Sequence, residues 1–152
     1  MAQTIGSDQP GTEVDWTGIE LVSTPVGKRP DLDFNGLSYA SPGELRVAQL
    51  LTEQGIPFMP DVLTNWQPQG SDREFIYVPD FIFMMRTYVW ISDDGLEPIH
   101  GLELKRRRTD GSYPGIGLKK IAALLQYRGI RIRLIDEMEA RKMTHLPLRP
   151  LQ

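Results

Sequence analysis

Apolar residues in this chain fall into short runs with two different periods, and the changes of period predict its elements. Ser41-Pro42-Gly43-Glu44 comes first. Serine as N-cap, proline at the first helical position and glutamate at the third form a capping box, and Gly55 stops the helix that follows. Positions 44, 47, 48 and 51 share one face, so Glu44 projects to the same side as Val47, Ala48 and Leu51. A strand over 58–63 and a polar loop over 65–72 come next. Residues 74–84 read as a second strand that runs on, with a kink, to 91. Asp93-Asp94-Gly95 is a hairpin turn signal, which makes 98–105 the antiparallel return strand. A glycine-rich loop over 110–117 leads into a helix over 118–128. Its expected core stripe is Leu118, Ile121, Ala122 and Leu125, and Gly129 ends it. Residues 130–134 alternate as a half-exposed strand, and 137–143 read as a short helix. The predicted order is αβββαβ, an α/β fold.

Around this domain, taken as residues 38–143, lie an irregular arm over 1–37 and a tail over 144–152. The arm holds one apolar patch at 16–22, suited to a short docking strand, and the prolines of the tail argue against any regular element there. A chain of 152 residues suits one domain with a single sizeable core. The absence of cysteine excludes a disulfide framework and a thiolate metal site, and with His100 and His145 as the two histidines a zinc site is not expected. No apolar stretch is long enough to cross a bilayer, and the polar, acidic start lacks the features of a signal peptide. The expected location is the cytoplasm, with no membrane partner.

Charge is distributed unevenly. Residues 1–104 hold five basic and sixteen acidic side chains, a balance of −11, whereas 105–133 hold nine basic against Asp110 alone, a balance of +8. A basic block of that size suits a polyanionic partner; its plainer use is a solvated face.

Asp80 lies inside the apolar strand, and Glu103-Leu104-Lys105 closes the return strand. Burying an unpaired carboxylate in a sheet costs several kcal/mol. Two side by side repel, unless a cation sits between them or one takes up a proton. A divalent metal with oxygen ligands resolves both problems, so the pattern suits a cation and, through it, phosphate chemistry. Side chains alternate along a strand, which puts Glu103 and Lys105 on one face about 7 Å apart, with Leu104 packing behind. The chain holds three Pro-Asp pairs. Pro30-Asp31 lies in the polar arm and Pro60-Asp61 reads as a turn. Pro79-Asp80 alone sits within an apolar strand, directly before the hairpin to the single Glu-x-Lys of the chain. Proline in a central strand removes a ladder hydrogen bond, so a bend or bulge is expected at Pro79.

The order αβββαβ, with Glu44 on the first helix, Pro79-Asp80 on the second strand and Glu103-Leu104-Lys105 on the third, resembles the PD-(D/E)XK nuclease superfamily. That group includes restriction endonucleases, Holliday-junction resolvases and transposon-end endonucleases. The resemblance covers roughly residues 40–135 and implies a restriction-endonuclease-like core, a central mixed sheet flanked by helices. It implies Mg2+, or Mn2+ in its place, held by Asp80 and Glu103 with help from Glu44, and Lys105 beside the attacking water. It also implies DNA as partner, contacted by Arg106, Arg107, Arg108, Lys119 and Lys120, and an endonuclease acting as a homodimer or as one subunit of a recombination, transposition or restriction system. Gln126, seven residues from Lys119, is a weaker candidate near the metal. Trp66 and Tyr113 could stack on bases or anchor their loops. The alternative is a catalytically inactive nuclease-fold protein that binds nucleic acid or assembles with partners. Each residue also has a plainer use: Glu44 as a helix cap, Asp80 in a salt bridge, Glu103 and Lys105 as an ion pair.

Overall fold

The computed structural model describes residues 14–19, 29–84 and 86–151. Its elements are β1 (Arg29–Phe34), β2 (Leu37–Tyr39), α1 (Pro42–Glu53), β3 (Phe58–Pro60), β4 (Thr64–Trp66), β5 (Phe75–Tyr77) and β6 (Phe81–Phe83). They continue with β7 (Tyr88–Ser92), β8 (Gly95–Ile99), β9 (Gly101–Lys105), α2 (Gly115–Arg128), β10 (Ile132–Asp136), α3 (Glu137–Ala140) and β11 (Leu148–Pro150). The fold is mixed α/β with few helices. Its central sheet has the order β10-β9-β6-β3, antiparallel except for the parallel β10-β9 pair. Among the described residues no helix is long and apolar enough to cross a membrane.

Strand alternation makes this sheet two-faced. Phe81 and Phe83 join Leu102, Leu104, Val47 and Leu51 in the core under α1, while Ile82 joins Leu124, Ile130 and Ile132 in the core under α2. Both faces are therefore covered, and the central strands read as continuous apolar runs. Helix α1 begins as its sequence predicts: the Ser41 Oγ accepts from the Glu44 N–H at 3.2 Å. Glu44, Val47, Ala48 and Leu51 are all buried.

The strand expected over 74–91 is three strands. β5 pairs with β4, β6 with β3 and β9, and β7 with β8 and β11. The first break falls at Val78–Asp80, where proline has no N–H for a ladder and the Asp80 N–H turns to the Glu103 carboxylate. Asp80 therefore stands just outside the strand that was expected to carry it. The return strand divides at His100: residues before it pair with β7, residues after it with β6 and β10. The two-residue turn Asp93-Asp94 is as predicted, with Ser92 opposite Gly95. β3 stops at Pro60 because Asp61 takes a left-handed conformation, φ 52°. β4 lies in the expected polar loop; its three residues are too few to show a period.

Other boundaries move as well. Helix α2 starts at Gly115 and buries Gly117 and Leu124, whereas Leu118 and Ala122 of the expected stripe are exposed. β10 begins two residues later than expected, and α3 is a single turn. The tail is not irregular: β11 pairs with β7, and Leu146 and Leu148 enter the main core. Pro150 is tolerated because β11 is an edge strand. In the arm, an Asn35-Gly36 turn joins β1 to β2, which pack on α1. Val14, Trp16 and Ile19 pack on the second core, but 17–18 form a turn rather than a strand, and residues 20–22 of the patch lie outside the described residues.

His100 illustrates how the strand junction is locked. Its ring is buried, and Nδ1 accepts from the Arg131 N–H at 2.9 Å, so the proton of the neutral imidazole sits on Nε2. Burial, then the charge of Arg131, lower its pKa from 6.5 to about 4. A folded pKa below the unfolded one means stability that is present above pH 6.5 and lost as pH falls towards 4. In chemical denaturation, the stability of the native protein relative to His100→Asn should fall by about 3 kcal/mol between pH 7 and pH 4. Asparagine can keep the acceptor but cannot titrate. A constant difference across that range would show that the ring is not held neutral.

Candidate functional site

Four acidic side chains converge where α1 meets the broken strands. Glu44 comes from the first turn of α1, Asp61 from the left-handed corner after β3, Asp80 from the break before β6, and Glu103 from the middle of β9. The Asp61 N–H donates to the Asp80 carbonyl at 3.0 Å, which ties the two corners together. The Asp80 N–H donates to Glu103 Oε1 at 2.9 Å, and the Leu104 N–H donates to Asp80 Oδ2 at 2.7 Å. Each acid thus satisfies a backbone donor that the broken ladder leaves unpaired. Carboxylate oxygens of Glu44, Asp61 and Asp80 lie within 4.8 Å of one another. Glu103 stands one strand over, with Oε2 3.6 Å from the Lys105 ammonium.

Burial dominates the electrostatics. Enclosure, then the charges of Glu103 and Glu44, push the Asp80 carboxyl well above the usual carboxylate range. Burial also raises Glu103, against the opposing pull of Lys105 and a hydrogen bond from Asp80. Of the pair, Asp80 is pushed further upward, because no cation beside it opposes its burial as Lys105 opposes that of Glu103. Although part of Asp80 as a residue reaches solvent, its carboxyl group is packed round by Glu103, Glu44 and the β9 backbone, and the chemistry follows the carboxyl. Tyr39 is pushed up to about 12 by burial and by the charges of Asp61 and Glu44. Tyr77 is raised by burial and by Glu103 and Asp80, so its phenol stays protonated beside the acids. The donor set around Glu44, Asp61 and Asp80 is all oxygen, compact and mutually repelling, which is the chemistry a hard divalent cation fits.

All four residues expected at the centre are close to one another, but their arrangement differs from the expected one. Glu44 serves both as part of its helix cap and as a member of the cluster: Ser41 Oγ lies 3.3 Å from its Oε2. Glu103 is outside the carboxylate triad, and Asp61 takes the third place. The sequence predicts only a turn at Asp61. The turn is real, and what locates its buried carboxylate is the pairing of β3 with β6.

The basic segment is divided. Arg128 is structural: it donates to the Asn65 carbonyl and side chain, both at 2.8 Å, and to the Thr17 carbonyl. Arg131 and Arg133 both reach Glu97. Arg107 pairs with Glu139 at 3.2 Å, and its guanidinium lies over the Tyr113 ring. Arg106, Arg108, Lys119 and Lys120 are exposed. Trp66 is buried in β4 against Phe75, so it is a core residue, and Tyr113 anchors Arg107. Lys119 and Gln126 face solvent on α2. No family model, curated protein or solved structure matches the chain.

Proposed function

We propose that the protein is a metal-dependent endonuclease that hydrolyses DNA phosphodiester bonds, on a restriction-endonuclease-like frame. One observation carries this reading: Glu44, Asp61, Asp80 and Glu103 converge from four separate elements, with Lys105 at the edge of the cluster. Three buried acids, Glu44, Asp61 and Glu103, gathered around the enclosed carboxyl of Asp80 are costly to fold, and a bound cation would offset part of that cost. The connectivity of the central sheet, α1-β3-β6-β9-α2-β10, supports the frame.

Glu44, Asp61 and Asp80 would hold Mg2+, or Mn2+ in its place, and Glu103 would join them or stay paired with Lys105. A bound magnesium supplies Lewis-acid polarisation of a phosphate oxygen and makes a water more acidic. The acids orient that centre from fixed backbone positions. The Lys105 ammonium, 3.6 Å from Glu103, can face the attacking water and the charge that builds on phosphate. Arg106, Arg108, Lys119 and Lys120 are the candidates for the nucleic acid backbone. Targeting by a homodimer or by partner proteins belongs to the same proposal.

The test is cleavage of supercoiled, linear, single-stranded and branched DNA by purified protein in magnesium and in manganese, beside Glu103→Gln. Product should appear with the native protein and fall at least about a hundredfold with the variant. Binding without cleavage of any form in either metal would replace this reading with that of an inactive nuclease-fold binding protein.

A further inference from the structure

Beside the acids, a cleft of about 280 Å³ opens between β5 and the first turn of α2. Its lining joins two kinds of side chain, Lys105 and Lys120 with Glu103, and the branched apolar Ile76 and Ile116. Local structure explains how they meet. Alternation along β5 buries Tyr77 and stacks Phe75 on Trp66, which turns Ile76 outward. On α2, Ile116 and Lys120 are four apart and share a face. Gly117 is buried against Lys105: a Cβ there would lie 3.3 Å from Lys105 Cε. The glycine lets the Lys105 stem lie along the helix, and both lysines line one cleft.

Ile116 is 71% exposed and Ile76 49%, in both cases beside Lys105 and Lys120. In a paired duplex the base faces are stacked on one another, and the backbone presents mainly charged phosphate to such side chains. The face of an unstacked base offers them an apolar partner, and isoleucine is among the residues that act as wedges between base steps. The cleft is at the small end for a binding pocket, with room for about one nucleotide rather than a stretch of strand.

We propose that this cleft takes one unpaired, unstacked nucleotide beside the phosphate to be cut, with Ile76 and Ile116 as the wedge. The preferred DNA then carries an interruption in pairing, such as a flap, fork or bulge. The inference rests on the endonuclease reading and names its substrate class. It is tested by binding, with the native protein in calcium and strand integrity checked on a denaturing gel of the same samples. The probes are a flap junction and a continuous duplex of equal length, each with one 2-aminopurine, a base that brightens when it leaves the stack. The flap should bind at least about tenfold tighter than the duplex, the scale of stacking one base on a side chain, and its 2-aminopurine should brighten. Ile76→Ser and Ile116→Ser should each cut that preference severalfold, with duplex affinity held within about twofold. Equal affinity for the two probes, or a preference that neither serine replacement reduces, would overturn the wedge and leave the endonuclease reading standing. No binding to either probe would overturn both.

Discussion

Lys105→Ala should bind DNA within a few-fold of the native protein and cleave it at least about a hundredfold more slowly. The Lys105 side chain is 40% exposed, its ammonium 3.6 Å from Glu103 at the open edge of a buried acid cluster. It contributes little to folding from that position, so its loss should not unfold the protein. Its position next to the acids matters most when charge builds on the reacting phosphate, and an interaction made mainly then lowers the rate without lowering affinity. Lys105→Arg should not restore the rate, because a planar guanidinium places its charge differently from a compact ammonium on a stem packed against Gly117. Single-turnover cleavage set against equilibrium binding separates the two effects. A Lys105→Ala protein that cuts at the native rate would reduce the Glu103–Lys105 contact to a structural ion pair.

Asp80→Asn should abolish cleavage and at the same time stabilise the metal-free protein. Asp80 combines two functions that conflict when no cation is present. Its Oδ2 accepts from the Leu104 N–H, which asparagine can imitate, but its negative charge is opposed by burial and by Glu103 and Glu44. A carboxyl raised in the folded state contributes stability in full below its unfolded pKa and loses it as pH rises through the folded one. The variant should therefore match the native protein near pH 4 and exceed it increasingly above that. At pH 8 without metal, about 2 kcal/mol, or roughly 4–8 °C in Tm, is expected. Magnesium should raise the Tm of the native protein and leave that of Asp80→Asn nearly unmoved. Thermal melts of both proteins at the two pH values, with and without magnesium, check this. A less stable variant at pH 8 in the absence of metal would mean that the Asp80 charge is compensated within the fold.

Local chemistry along the chain determined the parts of this protein that depend on neighbours in sequence. The capping box at Ser41 and Glu44 needs four residues, and the Asp93-Asp94-Gly95 turn needs three; both are where the sequence puts them. The apolar run around Asp80 and the lone Glu-x-Lys marked one member of the acid triad, Asp80, and the Glu103–Lys105 pair beside it. The period of α2 was legible but its phase was not. Its buried face is chosen by what it packs on: Leu124 enters the second core, and Gly117 rather than Leu118 lies against the Lys105 stem.

Tertiary structure decided the remainder, for a reason shared by every correction. Asp61 enters the cluster because β3 pairs with β6 and sets one Pro-Asp corner against the other, a register that no period records. The prolines of the tail argued against a strand, yet β7 offered an edge where a missing N–H costs nothing. Arg107, Arg128, Arg131 and Arg133 of the basic segment find partners in Glu139, Asn65 and Glu97, which lie within reach only after folding. Sequence patterns report the preference of a residue for a kind of environment. Which groups share that environment is set by strand pairing between residues far apart in the chain.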